Sequence, residues 1–332
     1  MKITSVLFAV MAMLTTFAFG AGGEAFTDPT KAGPDFAVQG EYEGSLGDKK
    51  FGLQVIALSE GKFDAVAYRG GLPGAGWDKS MPTKMKGETA DGVTKLRGLS
   101  WDAKIEDRVV TGQAGLVNVN LKKVERKSPT LGAKPPKGAT VLFDGSNLDA
   151  WESGKLVGEG KKKNLGPEEK AGARTKEKFE NFTLHLEFRT PYMPKERGQQ
   201  RGNSGMYLLD QYECQVLDSF GLEGKDNECG GIYSISKPDL NMCLPPLSWQ
   251  TYDVEFTAAK FDREGKRTAA GVATIRLNGV IIHDKRVLSK PTPGGRQSDE
   301  KPGALFLQDH NNPVVFRNIW IVKKGTPALP KL

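Results

Sequence analysis

The chain has little histidine and little cysteine, three of each in 332 residues. So few soft ligands nearly exclude a Cys/His zinc framework, and three cysteines cannot all pair within one chain. A surplus of one charge is missing too. Forty-seven Lys and Arg stand against 40 Asp and Glu, a formal net charge of +7 spread over both signs, whereas a nucleic-acid binder concentrates its excess. After residue 20 no stretch approaches the ~18 apolar residues that a membrane-spanning helix requires. What is plentiful is turn chemistry. Forty Gly and 19 Pro punctuate short apolar runs, the pattern of many short strands. A hydrophobic content of 38% is enough for real cores, and the length has room for roughly two domains.

Met1-Lys2 gives a positive start, Ile3 to Phe19 carries no charge, and Ala18-Phe19-Gly20 places small residues near a cleavage point. Residues 1–20 therefore read as a secretory signal, and the mature protein as exported to a periplasm or the extracellular space without spanning a membrane. An oxidising compartment permits disulfides. Cys229 and Cys243 flank a Gly/Pro-rich stretch and are the preferred pair. Cys214 alternates with apolar residues and is expected as a buried thiol.

From 36 to 126 the pattern is a small antiparallel β domain of unknown role, with strands at 38–42, 51–58, 62–68, 94–100, 102–106, 108–113 and 117–124. The Gly-rich segment 69–77 ends in Trp77, read as a packing residue in a turn rather than a carbohydrate contact. Residues 127–138 form a Pro/Gly linker without periodicity. From 139 to 324 the strands are clearer, and almost nothing is helical. Leu184, Leu186 and Phe188 alternate with Thr183, His185, Glu187 and Arg189, a half-buried strand with one polar face. Further strands are expected at 206–209, 212–217, 251–258, 304–308 and 314–322. Asn278-Gly279 joins 271–277 to 280–286 as a hairpin. The fold class is all-β, the second unit a two-sheet jelly roll whose concave sheet could hold a ligand.

Val141-Leu-Phe-Asp-Gly-Ser-Asn-Leu-Asp-Ala-Trp151, Arg174-Thr-Lys-Glu-Lys-Phe-Glu-Asn-Phe182 and Leu184-His-Leu-Glu-Phe-Arg189 resemble the opening of the 3-keto-disaccharide hydrolase family. The likeness continues through Arg201-Gly-Asn-Ser-Gly-Met-Tyr207, Tyr212-Glu-Cys-Gln-Val-Leu-Asp-Ser219, Trp249-Gln-Thr-Tyr-Asp253 and Leu307-Gln-Asp-His-Asn-Asn-Pro-Val-Val-Phe-Arg-Asn-Ile-Trp320. It covers about 139–324 and not the N-terminal unit. The resemblance implies a concanavalin A-like lectin/glucanase jelly roll and a carbohydrate substrate. It also implies a separate sugar 3-oxidoreductase upstream, to make the keto group.

Laminarinase-like glycosidases of this architecture carry a Glu-x-Asp-x-(x)-Glu strand motif, and here the corresponding stretch is Glu213-Cys-Gln215-Val-Leu-Asp218. The middle acid has become an amide, and Asp218 joins the face of Glu213 and Gln215 only through a bulge. That departure counts against an ordinary two-carboxylate glycosidase. A 3-keto sugar needs less: its C2 proton is acidified, so one base, one stabiliser of the enolate and one acid can eliminate the C1 substituent. The expected catalytic groups are His310 as base or metal ligand, because histidine titrates near neutrality, with Glu213 or Asp218 as the partner acid/base. Arg201 or Arg317 would meet the developing negative charge. Gln215, Asn203, Gln308 and Tyr233 are expected to bind substrate, with Tyr207 and Trp249 as further sugar platforms. His185 and His283 sit on faces that read as solvated. A divalent cation, structural or Lewis-acidic, would suit the same oxygen and imidazole donors. The alternative from another class is a carbohydrate-binding module that holds glycan on the same face without cleaving it.

Overall fold

The computed structural model describes residues 24–298 and 302–324, and the expected export signal at 1–20 lies outside them. A short helix, α1 (Gly33–Val38), precedes eight strands. These are β1 (Gly40–Leu46), β2 (Lys49–Ala57), β3 (Lys62–Arg69), β4 (Thr83–Ala90), β5 (Val93–Gly98), β6 (Trp101–Glu106), β7 (Val109–Ala114) and β8 (Val117–Val124). They close in sequence order into an antiparallel barrel, β8 pairing back on β1. The alternation is plainest in β6, where Trp101, Ala103 and Ile105 are buried and Asp102, Lys104 and Glu106 exposed. Two features depart from expectation. Residues 33–38 are helical, so the first strand starts at Gly40 and not at Val38. The sequence reading also assigns no strand to β4, because its inward face is only Met85 and Gly87, too little apolar mass to mark a period.

The second unit contains β9 (Thr140–Phe143), β10 (Lys155–Val157), β11 (Asn164–Gly166), β12 (Ala173–Arg174), β13 (Phe182–Arg189), β14 (Ser204–Leu208) and β15 (Tyr212–Val216). It continues with β16 (Gln250–Thr257), β17 (Lys260–Phe261), β18 (Arg267–Ala269), β19 (Gly271–Leu277), β20 (Val280–Leu288), β21 (Phe306–Leu307) and β22 (Val315–Lys323). A large sheet runs β10-β11-β22-β13-β16-β19-β20, with β9 also on β22, and a smaller sheet runs β12-β21-β14-β15. Leu184, Leu186 and Phe188 from the first and Met206, Leu208, Cys214 and Leu307 from the second fill one core. This is the expected jelly-roll sandwich. Asn278 and Gly279 close the β19–β20 hairpin with φ of 52° and 81°, the left-handed pair that a two-residue turn demands. Among the described residues no helix is long and apolar enough to cross a membrane.

The two units share their packing. Tyr192 of the sandwich joins the barrel's interior cluster, its ring 5.1 Å from Phe36. Ile56, Val66 and Tyr68, on the barrel's outer face, join the sandwich core. All three cysteines are buried and free, so the preferred Cys229–Cys243 disulfide is not formed. The two thiols are nonetheless neighbours in hydrogen-bond contact, with Cys229 Sγ also 3.5 Å from the Tyr252 hydroxyl and Cys243 Sγ 3.5 Å from the Leu217 carbonyl.

The Pro/Gly segment 127–138 is a strap, not a free linker. Its Thr130 hydroxyl donates to Asp253 at 2.7 Å, its Gly132 amide donates to Glu187 at 2.6 Å, and Asn318 Nδ2 donates to the Ala133 carbonyl at 3.0 Å. Beneath it His185, read as solvated, is wholly buried between Asp253 (Nδ1 to Oδ1, 2.7 Å) and Glu187. Burial opposes the imidazolium, but the bonds to Asp253 and Glu187 outweigh it and raise the His185 pKa. Burial likewise opposes the Glu187 carboxylate, yet His185, Asn318, Arg317 and the Gly132 amide hold it down to about 2. The signs follow from linkage. The contribution of His185 is present below its ordinary 6.5 and lost as pH rises through its raised value, and that of Glu187 is present above 4.5 and lost as pH falls toward about 2. Glu187→Gln should speed hydrogen exchange at the Gly132 amide about tenfold or more at pH 6 by weakening a charge-assisted bond; two-dimensional NMR reads this. His283 is also buried, its Nε2 2.7 Å from the Gly230 carbonyl. Burial lowers its pKa, so it serves the core as a neutral ring.

Candidate active site

The smaller sheet has one apolar face and one polar face. Directly paired residues share a face, so the registers Tyr207↔Glu213, Gly205↔Gln215, Tyr207↔Phe306 and Arg174↔Phe306 place all six on the side away from the core. Backbone bonds fix Glu213 from two directions: its amide donates to Thr292 Oγ1 at 3.0 Å, and its carbonyl accepts from the Tyr233 amide at 3.1 Å.

Glu213 is only 4% exposed. Burial raises its pKa to about 7, against the opposing hydrogen bond from the Tyr207 hydroxyl. Burial, and then the neighbouring carboxylate, raise the Tyr207 phenol, which therefore stays a neutral donor. Gln308 Nε2 approaches the same phenol oxygen at 3.3 Å. Phe306 lies 5.4 Å from the Tyr207 ring and carries the Arg174 guanidinium 4.3 Å above its own. Arg174 is in turn ion-paired with Asp210.

Gly205 makes room for the acid. A Cβ there would stand 3.0 Å from Glu213 Cδ and closer still to Oε1, with Tyr207 Cε2 also at 3.0 Å. At those distances something must shift, and the carboxyl end of Glu213 is the nearest group, so Gly205→Ala should displace it. Displacements of this size cost about 10²-fold in rate. We expect kcat to fall by about that factor with the circular dichroism spectrum intact.

Amides continue the polar row. Gln215 Nε2 donates to Gln199 Oε1 at 3.0 Å, Asn203 Nδ2 donates to the Gln199 carbonyl at 2.8 Å, and the Asn203 amide donates to Asn312 Oδ1 at 2.7 Å. Among the described residues Asn203 Oδ1 is buried without a hydrogen-bond donor. An orphaned acceptor of that kind fits a substrate hydroxyl, which would donate to it. Gln199 escaped the sequence reading, since it lies on a single turn of 3₁₀ helix (Gly198–Gln200) with no strand period to mark it.

Of the expected residues, Glu213, Gln215, Gln308 and Asn203 share this face, and Tyr233 borders it through its backbone. His310 is half-buried on the loop after β21. That loop is pinned where Asp309 accepts from the Lys170 amide and Asn312 from the Asn203 amide. His310 itself hydrogen-bonds to neither Glu213 nor Asp218. Three placements differ from expectation. Asp218 and Arg201 pair with each other at 2.7 Å, facing the barrel. Asp218 lies past the end of β15, where no bulge returns it to the face of Glu213, and Arg201 precedes β14. Arg317 belongs to the large sheet, bonded to Glu187 at 2.7 Å, and its guanidinium covers the Trp249 ring at 3.9 Å. Trp249 is therefore occupied far from Glu213. Trp77 packs edge-on against Tyr68 at 5.2 Å. Among the described residues no group of three or more His, Cys, Asp or Glu is gathered to hold a metal.

A jelly roll with a neutral-range carboxyl group and a row of amides on its smaller sheet defines a glycosyl hydrolase-like, carbohydrate-active domain. Residues 138–322 match the family described as the 3-keto-alpha-glucoside-1,2-lyase-like domain, and the chain belongs to it. A crystal structure of a candidate glycosyl hydrolase from Parabacteroides distasonis ATCC 8503 is 33% identical with a TM-score of 0.52, over 57% of this chain and 85% of that one. A second crystal structure so described, from the same organism, is 18% identical with a TM-score of 0.40, over 57% and 95%. Among curated proteins, none matches.

Proposed function

We propose that the protein is exported and cleaves 3-keto-glycosides by removing the C2 proton and eliminating the C1 substituent, with Glu213 as the base. The observation that carries this reading is a single buried carboxyl group, raised to about 7, on a face where the nearby acids are engaged elsewhere. Asp210 is paired with Arg174 and Asp218 with Arg201. A retaining glycosidase needs a second carboxylate about 5–5.5 Å from the first. An elimination needs one base, and a base titrating near 7 is half-ionised at neutral pH.

Glu213 takes the C2 proton, and the electron pair forms an enolate toward the C3 oxygen. Gln308 or Gln215 supplies an amide donor to that oxygen. The enolate then expels the C1 oxygen, leaving a keto-glycal, and the departing alkoxide takes a proton. Addition of water across the new double bond completes a net hydrolysis. His310 at the edge of the face is the proton donor to the leaving group in this scheme. His310→Ala should accordingly slow alkyl 3-keto-glucosides by about 10²-fold or more and spare nitrophenyl ones, as initial rates on the two substrates will show.

Turnover of 3-keto and native glucosides in D₂O tests the whole reading. Deuterium at C2 of the product, from the 3-keto substrate only, is the expected result. Cleavage of native glucosides without C2 exchange would establish an ordinary glycosidase. Binding of both without cleavage would establish a carbohydrate-binding module.

A further inference from the structure

A cavity of about 510 Å³ opens between the barrel and the sandwich, separate from the Glu213 face. That volume lies within the range of small-molecule sites, which favour such junctions. Ile56 and Val66 from the barrel and Phe220 and Leu222 from the sandwich form apolar walls, and the buried Arg201–Asp218 pair lies at its base. At the mouth the charges do not balance. Lys86 is matched by Asp64 at 2.5 Å, but Glu223 alone answers both Lys84, at 2.8 Å, and Lys225. The Glu228 carboxylate accepts from the backbone amides of Gly224 and Lys225, at 2.7 and 3.0 Å, rather than from a side chain. Arg97, exposed on β5, has no ion-pair or hydrogen-bond partner among the described residues. Arg197 also lines the cavity and donates only to backbone carbonyls, so five cations face the carboxylates of Asp64, Glu223 and Glu228, a surplus of two at the mouth of an apolar slot.

We propose that this cavity is a binding site for small organic anions with a flat apolar body, such as aryl carboxylates or sulfonates. The body would lie against Ile56, Val66 and Phe220, and the anion would meet Arg97 and Lys225. A neutral molecule of the same shape gains only the first contact. The site is independent of the chemistry at Glu213.

Fluorescence titration of the full chain with 8-anilinonaphthalene-1-sulfonate, and with its uncharged counterpart N-phenyl-1-naphthylamine, tests this directly. Saturable one-to-one binding of the sulfonate is expected. Arg97→Ala with Lys225→Ala should weaken it about tenfold while leaving the neutral probe within about twofold and glycoside turnover unchanged. Leu222→Glu, at an exposed wall position, should weaken the sulfonate and compete poorly for the neutral probe as well. All three side chains are exposed, so these variants should fold. Sulfonate affinity unaltered by both variants, or no saturable binding, would overturn the proposal.

Discussion

Glu213→Gln is expected to abolish turnover of a 3-keto-glucoside, lowering kcat by about 10²–10⁴-fold, the usual worth of a positioned general base. The amide keeps the size of the side chain and can still accept from the Tyr207 hydroxyl, so substrate binding should survive. In the parent enzyme kcat/KM should rise with pH through about 7, since the base must be ionised; the variant should lack that limb. Stability should move the other way. With 4.5 as the ordinary value and about 7 in the fold, the buried carboxyl contributes stability that is present below 4.5 and lost as pH rises through 7. The difference is worth about 3 kcal/mol at 1.36 kcal/mol per pKa unit. Glutamine has no proton to lose there. Urea unfolding should therefore show the variant near the parent at pH 4 and more stable by up to about 3 kcal/mol at pH 8. Parental turnover in the variant would remove Glu213 from the mechanism, and equal stability at pH 8 would deny its burial.

Why Glu213 could be read from the sequence and Asp218 could not is a matter of where a period stops. Within β15 the alternation Tyr212, Cys214, Val216 against Glu213, Gln215 assigns faces without further information. Asp218 lies two residues past the last of them, and its partner Arg201 precedes β14, so only the folded chain shows them meeting. The strap at 127–138 failed for a related reason. Pro and Gly are equally at home in a free linker and in a segment bound along a sheet, and the difference resides in acceptors such as Glu187 and Asp253 more than 50 residues away. His185 followed the strap: its strand face is polar as read, but the cover that buries it is nonlocal. The β13, β16 and β19 strands were legible because each repeats an apolar residue at every second position over most of its length, and β20 followed from the Asn278-Gly279 turn that joins it to β19.

Asp218→Ala is expected to destabilise the fold by about 3–5 kcal/mol, the range for breaking a buried pair by removing one partner. The side chains of Arg201 and Asp218 are 5% and 1% exposed. Arg201 also donates to the Ala57 carbonyl at 3.2 Å and approaches Gln39 Oε1 at 3.4 Å, so the pair fastens the end of β2 and the residue after α1 to the sandwich. Losing Asp218 strands a guanidinium at that junction. Pairing the change with Arg201→Met, as Arg201→Met/Asp218→Leu, removes the stranded charge and should recover most of the loss, because a buried ion pair replaced by apolar groups is often neutral. The catalytic readout separates this role from chemistry. In the double variant kcat and the pH limb near 7 should persist, since neither residue shares the face of Glu213. A double variant that folds stably but loses turnover and that limb together would return Asp218 to the acid/base role and end the single-carboxyl mechanism.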